Sequence, residues 1–236
     1  MKNVIRLTFV AAVMLLTYSA KSQEFVTPSN MFSHQKDAFV TLTDGTELVC
    51  KIDKIKRKKG LIKFIRVEVD GVERDLQPSE VSFMYLPPNA LDNLSKATEF
   101  INKANKWTNE KLNRDLLNQG LAYFEQTEVQ IKKKKTMTML MQLLNPSFSG
   151  GVKVYHDPFA KETASVGVGG FTVAGGIAKS YFVQKGDKPA EMFEKKKYKK
   201  NFDEFWSDCE AVLNAEKNNW GSFNEHVYTY DQECIK

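Results

Sequence analysis

Across residues 38–85 apolar side chains recur at every second position in short runs. The runs are Val40 and Leu42; Leu48, Cys50 and Ile52; Ile65, Val67 and Val69; and Val81, Phe83 and Tyr85. A period of two places successive side chains on opposite faces of a strand, so each run reads as a β-strand with one buried face. Asp44-Gly45 and Asp70-Gly71 separate runs, and both dipeptides accept the left-handed dihedrals of a two-residue hairpin turn. A third turn falls in the basic cluster at residues 56–60. Four or five antiparallel strands over such a span are enough to curl into a small barrel or a strongly twisted sheet.

The pattern changes after Pro87-Pro88. Asn89 can cap a helix; Leu91, Leu94, Ala97 or Ala104, Ile101 and Trp107 recur every three to four residues, and Leu112, Leu116 and Leu117 continue the pattern past a break near Thr108-Asn109, with Gly120 as a natural terminator. From Leu121 onward strand patterning returns. Tyr123, Val129 and Ile131 alternate with polar residues, the tetra-lysine run at 132–135 reads as a turn or exposed edge, and residues 136–144 resume as a more apolar strand. After the turn cluster NPSFSGG, Val152, Val154 and His156 line a short strand, and residues 177–193 read as a hairpin turning at Gly186-Asp187. Asn201 with Glu204, and Ser222 with Glu225, have capping-box spacing ahead of two apolar helical stripes. The expected fold is therefore α+β: an N-terminal curled antiparallel sheet or small barrel (36–88), a linking helix (89–120), and a second antiparallel sheet closed by two C-terminal helices (121–236).

Residues 1–22 read as a cleavable signal peptide. Lys2 and Arg6 form a positive start, residues 7–16 are an apolar core, and Ala20-Lys21-Ser22 places small side chains where a signal peptidase reads them. That core is too short to cross a hydrocarbon layer, which needs roughly 20 residues. Cleavage before Gln23 removes Lys2, Arg6 and Lys21 from the 34 basic residues and none of the 29 acidic ones, so the net charge falls from +5 to +2. A chain so nearly balanced has little electrostatic claim on nucleic acid. Export implies a periplasmic or extracellular protein, held at most peripherally at the outer membrane.

Catalytic constellations are hard to assemble from these residues. The three histidines are His34, His156 and His226, each in a different element, and no serine sits in a GxSxG elbow. His156-Asp157 could place a base on a loop. No HxxxH, HxH or CxxC spacing suggests a metal, and no cofactor motif is complete, since the Gly170 to Gly175 spacing of a phosphate loop is followed by Gly176 rather than lysine. Cys50 lies in phase with Leu48 and Ile52 and reads as a buried thiol.

Three features remain as candidate sites. Lys56, Arg57, Lys58 and Lys59 form a basic run at a hairpin tip, either a solvated face or a patch for an anionic glycan, phosphate or lipid head group. Val166, Val168, Phe171, Val173 and Ile177 lie in an uncharged glycine-rich stretch, either a mobile loop or a contact surface for a partner or membrane. Cys209 and Cys234 fall on the inward faces of the C-terminal helices, where an oxidising compartment predicts a disulfide and a reducing one two core thiols.

The segments TLTDGTELVCKI, DGVERDLQPSEVSFMYL and KSYFVQKGDKPAEMF, then NFDEFWSDCEAV and YTYDQEC, together with the leader, resemble a group of uncharacterised exported proteins of the Bacteroidota. The resemblance covers roughly 38–85 and 179–234 and implies localisation and architecture, with no activity attached. The expected role is a non-catalytic envelope protein that binds or scaffolds, through an envelope protein partner, self-association or peripheral membrane contact. A carrier would instead enclose an apolar ligand or lipid among Phe124, Met139, Met141 and Phe182. A hydrolase would bring His156 beside a serine or carboxylate.

Overall fold

The structure is a computed structural model describing residues 24–58, 60–89, 107–132, 135–160, 166–168, 171–174 and 178–235. Its first strands are β1 (Asp37–Leu42), β2 (Glu47–Lys58), β3 (Leu61–Val69), β4 (Val72–Leu76) and β5 (Val81–Leu86). Asp70 and Gly71 both take positive φ, 51° and 79°, and make the expected two-residue turn. The Asp44-Gly45 loop is one residue longer. Leu42 N–H donates to Thr46 O at 2.8 Å, Gly45 N–H donates to Leu42 O at 3.0 Å, and of the two only Gly45 has positive φ.

A short helix α1 (Arg114–Asn118) follows, then β6 (Ala122–Lys132), β7 (Lys135–Gln142) and β8 (Val152–His156). Most of the expected linking helix, residues 90–106, lies outside the described residues. α1 itself is locally encoded at both ends. The Asn113 side chain accepts from the N–H groups of Asp115 and Leu116. At the other end Gly120 N–H donates to Leu117 O and Leu121 N–H to Leu116 O, so the helix stops where Gly120 was expected to stop it.

The curled sheet or small barrel expected over 36–88 is not what forms. β1 to β5 belong to an open seven-stranded antiparallel sheet, in the order β4-β3-β2-β1-β5-β6-β7. The reason lies in β5. Val81, Met84 and Leu86 bury into one core cluster, while Tyr85 and the half-buried Phe83 pack into another, so both faces of the strand are apolar. A strand covered on both faces is an interior strand and takes neighbours on both edges. β1 supplies one and β6 the other, from Phe83↔Glu125 to Leu86↔Ala122. The sheet therefore widens across the 120–121 boundary instead of closing.

A second, three-stranded antiparallel sheet has the order β12-β11-β8, with β11 (Ser180–Lys185) and β12 (Glu191–Glu194). β9 (Val166–Val168) and β10 (Phe171–Ala174) form a separate two-stranded hairpin. The helices α2 (Lys195–Phe205), α3 (Glu210–Leu213) and α4 (Phe223–Glu233) follow. Asn201 sits inside α2 and does not cap it. The helix starts six residues earlier because Tyr198 and Phe202, four apart, bury on one face, which leaves the lysine-rich first turns in water. Ser222 stands at the start of α4 but makes no side-chain cap bond.

Two bridges stitch the sheets together. Leu143 pairs with Tyr155, and Val129 pairs with Ala190, whose N–H and C=O bond Glu128 O and Gln130 N–H at 2.8 Å. Tyr155 and Phe182 of the smaller sheet, with Ala190 just before β12, share a core with Tyr123, Met139 and Met141 of the larger one. The other side of the smaller sheet packs on the helices through Val154, Tyr181, Phe202, Trp206 and Phe223. Residues 24–36 tie these layers. Phe25 packs 5.3 Å from Tyr181, Val26 N–H donates to Leu144 O, and Phe32 meets Phe124 at 5.7 Å on the far face of the large sheet.

β2 contains a bulge that decides where its charges go. Ile52 pairs with Val67 and Lys54 with Arg66, so Asp53 is an extra residue. Cys50 and Ile52 are buried, and strict alternation would carry Lys54, Lys56 and Lys58 inward behind them. The extra residue shifts the phase by one, so Ile55 and Arg57 turn toward that face and the lysines turn out.

Candidate functional site

The densest polar cluster lies between the two sheets. Tyr123, Glu125 and Thr127 are alternate residues of β6 and project from one face. Lys153 and Tyr155 of β8 and Gln184 of β11 meet them. Glu125 Oε1 accepts from the Tyr155 hydroxyl at 2.6 Å and from Lys153 Nζ at 2.9 Å. Its Oε2 accepts from Lys153 Nζ at 3.1 Å and from the Tyr123 hydroxyl at 3.3 Å. The Tyr155 oxygen also lies 3.1 Å from Gln184 Oε1. The Glu125 side chain is 15% exposed and Lys153 32% exposed, so the cluster opens to water on the lysine side.

Electrostatics keep the two phenols of this cluster protonated. Burial, and then the Glu125 charge, push the Tyr123 and Tyr155 phenols far above their ordinary pKa, so both stay protonated and donate. Tyr85 is raised too, chiefly by burial, and its oxygen accepts Asn113 N–H at 2.8 Å. A carboxylate already receiving an ammonium and two phenols has no lone pair directed at a substrate. Chemically the cluster is a cross-brace between sheets.

A second cluster joins the small sheet to the helices. Lys185 Nζ, at the end of β11, lies 4.5 Å from the Tyr230 ring centre, 5.0 Å from Phe205 and 5.4 Å from Trp206. It donates to Phe205 O at 2.6 Å and to Asp208 Oδ1 at 2.5 Å, and Asp208 Oδ2 accepts from the Tyr230 hydroxyl at 2.8 Å. Burial opposes ionisation of Asp208, but the Lys185 and Tyr230 bonds outweigh it and hold the carboxyl below its usual range. Tyr230 is pushed up to about 12, by burial and then by Asp208. The cage is filled by the protein's own lysine.

A third polar group directly follows His156 in the chain. Asp157 is buried, and its Oδ2 accepts directly from Ser180 Oγ at 2.6 Å, while Oδ1 accepts Phe159 N–H at 3.0 Å. This is a direct serine–carboxylate bond with no imidazole between the two groups, unlike a Ser-His-Asp relay.

The three candidate sites fall in different places. Cys209 and Cys234 form a disulfide with Cα atoms 5.6 Å apart, tying the residue before α3 to the residue after α4. Cys50 is a buried free thiol, as its phase predicts. Of the basic run, Lys56 and Lys58 are exposed on one face of β2, whereas Lys59 lies outside the described residues. Arg57 leaves the group. Its guanidinium donates to Asn30 O at 3.0 Å and sits 5.8 Å over the Phe32 ring, where burial lowers its pKa. Val166, Val168, Phe171 and Val173 belong to the β9–β10 hairpin, and Ile177 lies outside the described residues.

Sequence reasoning missed the Glu125 brace. The available signal was a carboxylate in phase with Tyr123 and Thr127 on an otherwise apolar strand face. The partners Lys153 and Tyr155 lie on a strand whose pairing to that face is not local. Among the described residues no group of three or more His, Cys, Asp or Glu side chains is placed to hold a metal ion, and no helix is long and apolar enough to cross a membrane. Searches against protein families, curated proteins and solved structures find no match for this chain.

Proposed function

We propose that this chain is a non-catalytic exported protein of the cell envelope that works by binding or scaffolding. The observation that carries the reading is the saturation of its reactive groups. Glu125, Lys153 and Tyr155 are bonded to one another, as are Lys185 with Asp208 and Ser180 with Asp157. A binding protein needs such groups as braces that hold a surface rigid, whereas an enzyme needs at least one directed at a substrate.

Packing favours a scaffold over a carrier. Phe124 is buried in the core of the large sheet, and Met139, Met141 and Phe182 in the core between the sheets. The cavity lined by Ser29, Leu117, Leu121, Tyr123, Gln142 and Leu143 has about 10 Å³ of internal space, room for one water and not for a lipid chain. Export rests on the leader at residues 1–22.

The test is affinity capture from solubilised envelopes, with identification of bound proteins and lipids alongside cell fractionation. Recovery in the envelope fraction with a reproducible partner is the expected result. Recovery in the cytoplasm, or turnover of an ester or peptide library that Ser180→Ala abolishes, overturns the reading.

A further inference from the structure

We propose that the β2–β3 turn and the loop after β8 together form a peripheral docking point for an anionic lipid surface, with Lys56 and Lys58 as charged contacts and Phe159 as the inserting side chain. The proposal rests on the binding role above and names one surface and one class of partner for it.

The two segments are remote in sequence and touch in space. Gly60, with φ of 71°, lies so close to Pro158 that a Cβ added to it would come 2.5 Å from Pro158 Cβ. Phe159 is the next residue, and it is left 52% exposed. Among the exposed large hydrophobics of the described residues it is the aromatic one. The loop presenting it is held from behind. Asp157 accepts Phe159 N–H on its side chain and Ala160 N–H on its carbonyl, both at 3.0 Å, and is anchored by Ser180. A ring presented on a braced turn loses little further freedom on insertion.

The charges beside it are placed by the β2 bulge. Lys56 and Lys58, two apart, share the outward face, and among the described residues neither makes an ion pair. Farther from the turn Lys51 pairs with Asp37 at 2.6 Å and Arg66 with Asp75 at 2.7 Å, whereas Lys54 and Lys63, like Lys56 and Lys58, make no ion pair among the described residues. Three of these unpaired lysines, Lys56, Lys58 and Lys63, lie within four residues of Gly60, which rests on Pro158, the residue before Phe159. One ring with two long, flexible cations offers no groove for a folded partner. It suits a fluid surface in which phosphates rearrange around ammonium groups and acyl chains admit a phenyl ring.

The test uses the full chain and two vesicle preparations, phosphatidylcholine alone and phosphatidylcholine mixed equally with phosphatidylglycerol. The chain is expected to co-sediment with the anionic vesicles and to be released by raised salt. The Lys56→Glu, Lys58→Glu double variant should lower that affinity at least tenfold, from roughly fivefold per lysine. Lys199→Glu with Lys200→Glu on α2, the same charge change elsewhere, should not. A Phe159→Trp chain reports position directly, because brominated lipid should quench the new indole in anionic vesicles. Equal binding by both double variants overturns the proposal. So does equal binding to neutral vesicles with the introduced indole unquenched, which would mean that the apolar leader holds the chain. Failure of all vesicle binding while envelope capture still recovers a protein partner defeats the docking point and leaves the binding role intact.

Discussion

The hydroxyl of Tyr198 lies 2.5 Å from Nδ1 of His226, and the same oxygen accepts the Trp206 indole N–H at 3.1 Å. On the other side of the ring, Nε2 is 2.6 Å from the Lys217 carbonyl, which can only accept. Nε2 therefore carries the proton, and Nδ1 receives that of Tyr198. An uncharged relay from Trp206 through Tyr198 and His226 to Lys217 thus crosses the core between the small sheet and the helices. Burial holds the imidazole below its ordinary pKa and the Tyr198 phenol above its own.

That relay makes stability depend on pH. Burial lowers the His226 pKa, against weaker opposing effects from Lys217 O and Glu225, so the unfolded chain takes up the proton first. The His226 contribution is complete above the unfolded value of about 6.5 and is lost as pH falls through it toward the folded value. Melting temperature measured from pH 8 to pH 5 should fall in this window, and a His226→Gln chain should show a flatter profile there. Parallel profiles would sink the assignment.

Two glycines with similar dihedrals should respond differently to alanine. Gly71, with φ of 79°, has nothing within 4 Å of an added Cβ, whereas Gly60 has Pro158 at 2.5 Å. Gly71→Ala should cost about 1 kcal/mol from the left-handed backbone alone. Gly60→Ala should cost about 2–3 kcal/mol, since Pro158 is a ring with little freedom to move. Urea denaturation of the two variants separates the backbone cost from the contact, and equal losses would mean the turn does not rest on Pro158.

The Glu125 brace should be read through its best-buried donor. Tyr155→Phe removes the 2.6 Å bond and should destabilise by about 1–2 kcal/mol. Lys153→Met should cost less, because its side chain is 32% exposed and water screens the pair. Chemical denaturation of both variants checks the order. A Lys153 effect larger than the Tyr155 effect would contradict the brace as described.

The disulfide closes a segment with a sequence separation of 25. Replacing Cys209 and Cys234 together by serine should lower stability by about 3 kcal/mol through the freed unfolded chain. Cys50 is a different kind of group. Burial pushes its thiol up to about 11, so an alkylating reagent at neutral pH should leave it unmodified until the chain unfolds. Mass spectrometry with and without denaturant reads this directly, and rapid labelling of the native chain would refute it.

Local chemistry determined the features that depend on a few consecutive residues. Asp70-Gly71 makes its turn, Gly120 ends its helix and Cys50 faces the core, because dihedral preference and side-chain period act over one turn or strand. Where the pattern rests on strand phase, the sequence alone misleads. A one-residue bulge at Asp53 reverses which of Lys56 and Arg57 faces the core, and another shift between Thr41 and Leu42 lets Val81 and Met84 share a face. Such bulges are settled by how neighbouring strands bury both faces, which no single strand encodes. The same holds for the joining of β5 to β6, for the start of α2 ahead of Asn201, and for the meeting of Glu125 with Lys153 and of Gly60 with Pro158. Each depends on surfaces brought together from distant parts of the chain, and burial of their shared apolar area decided them.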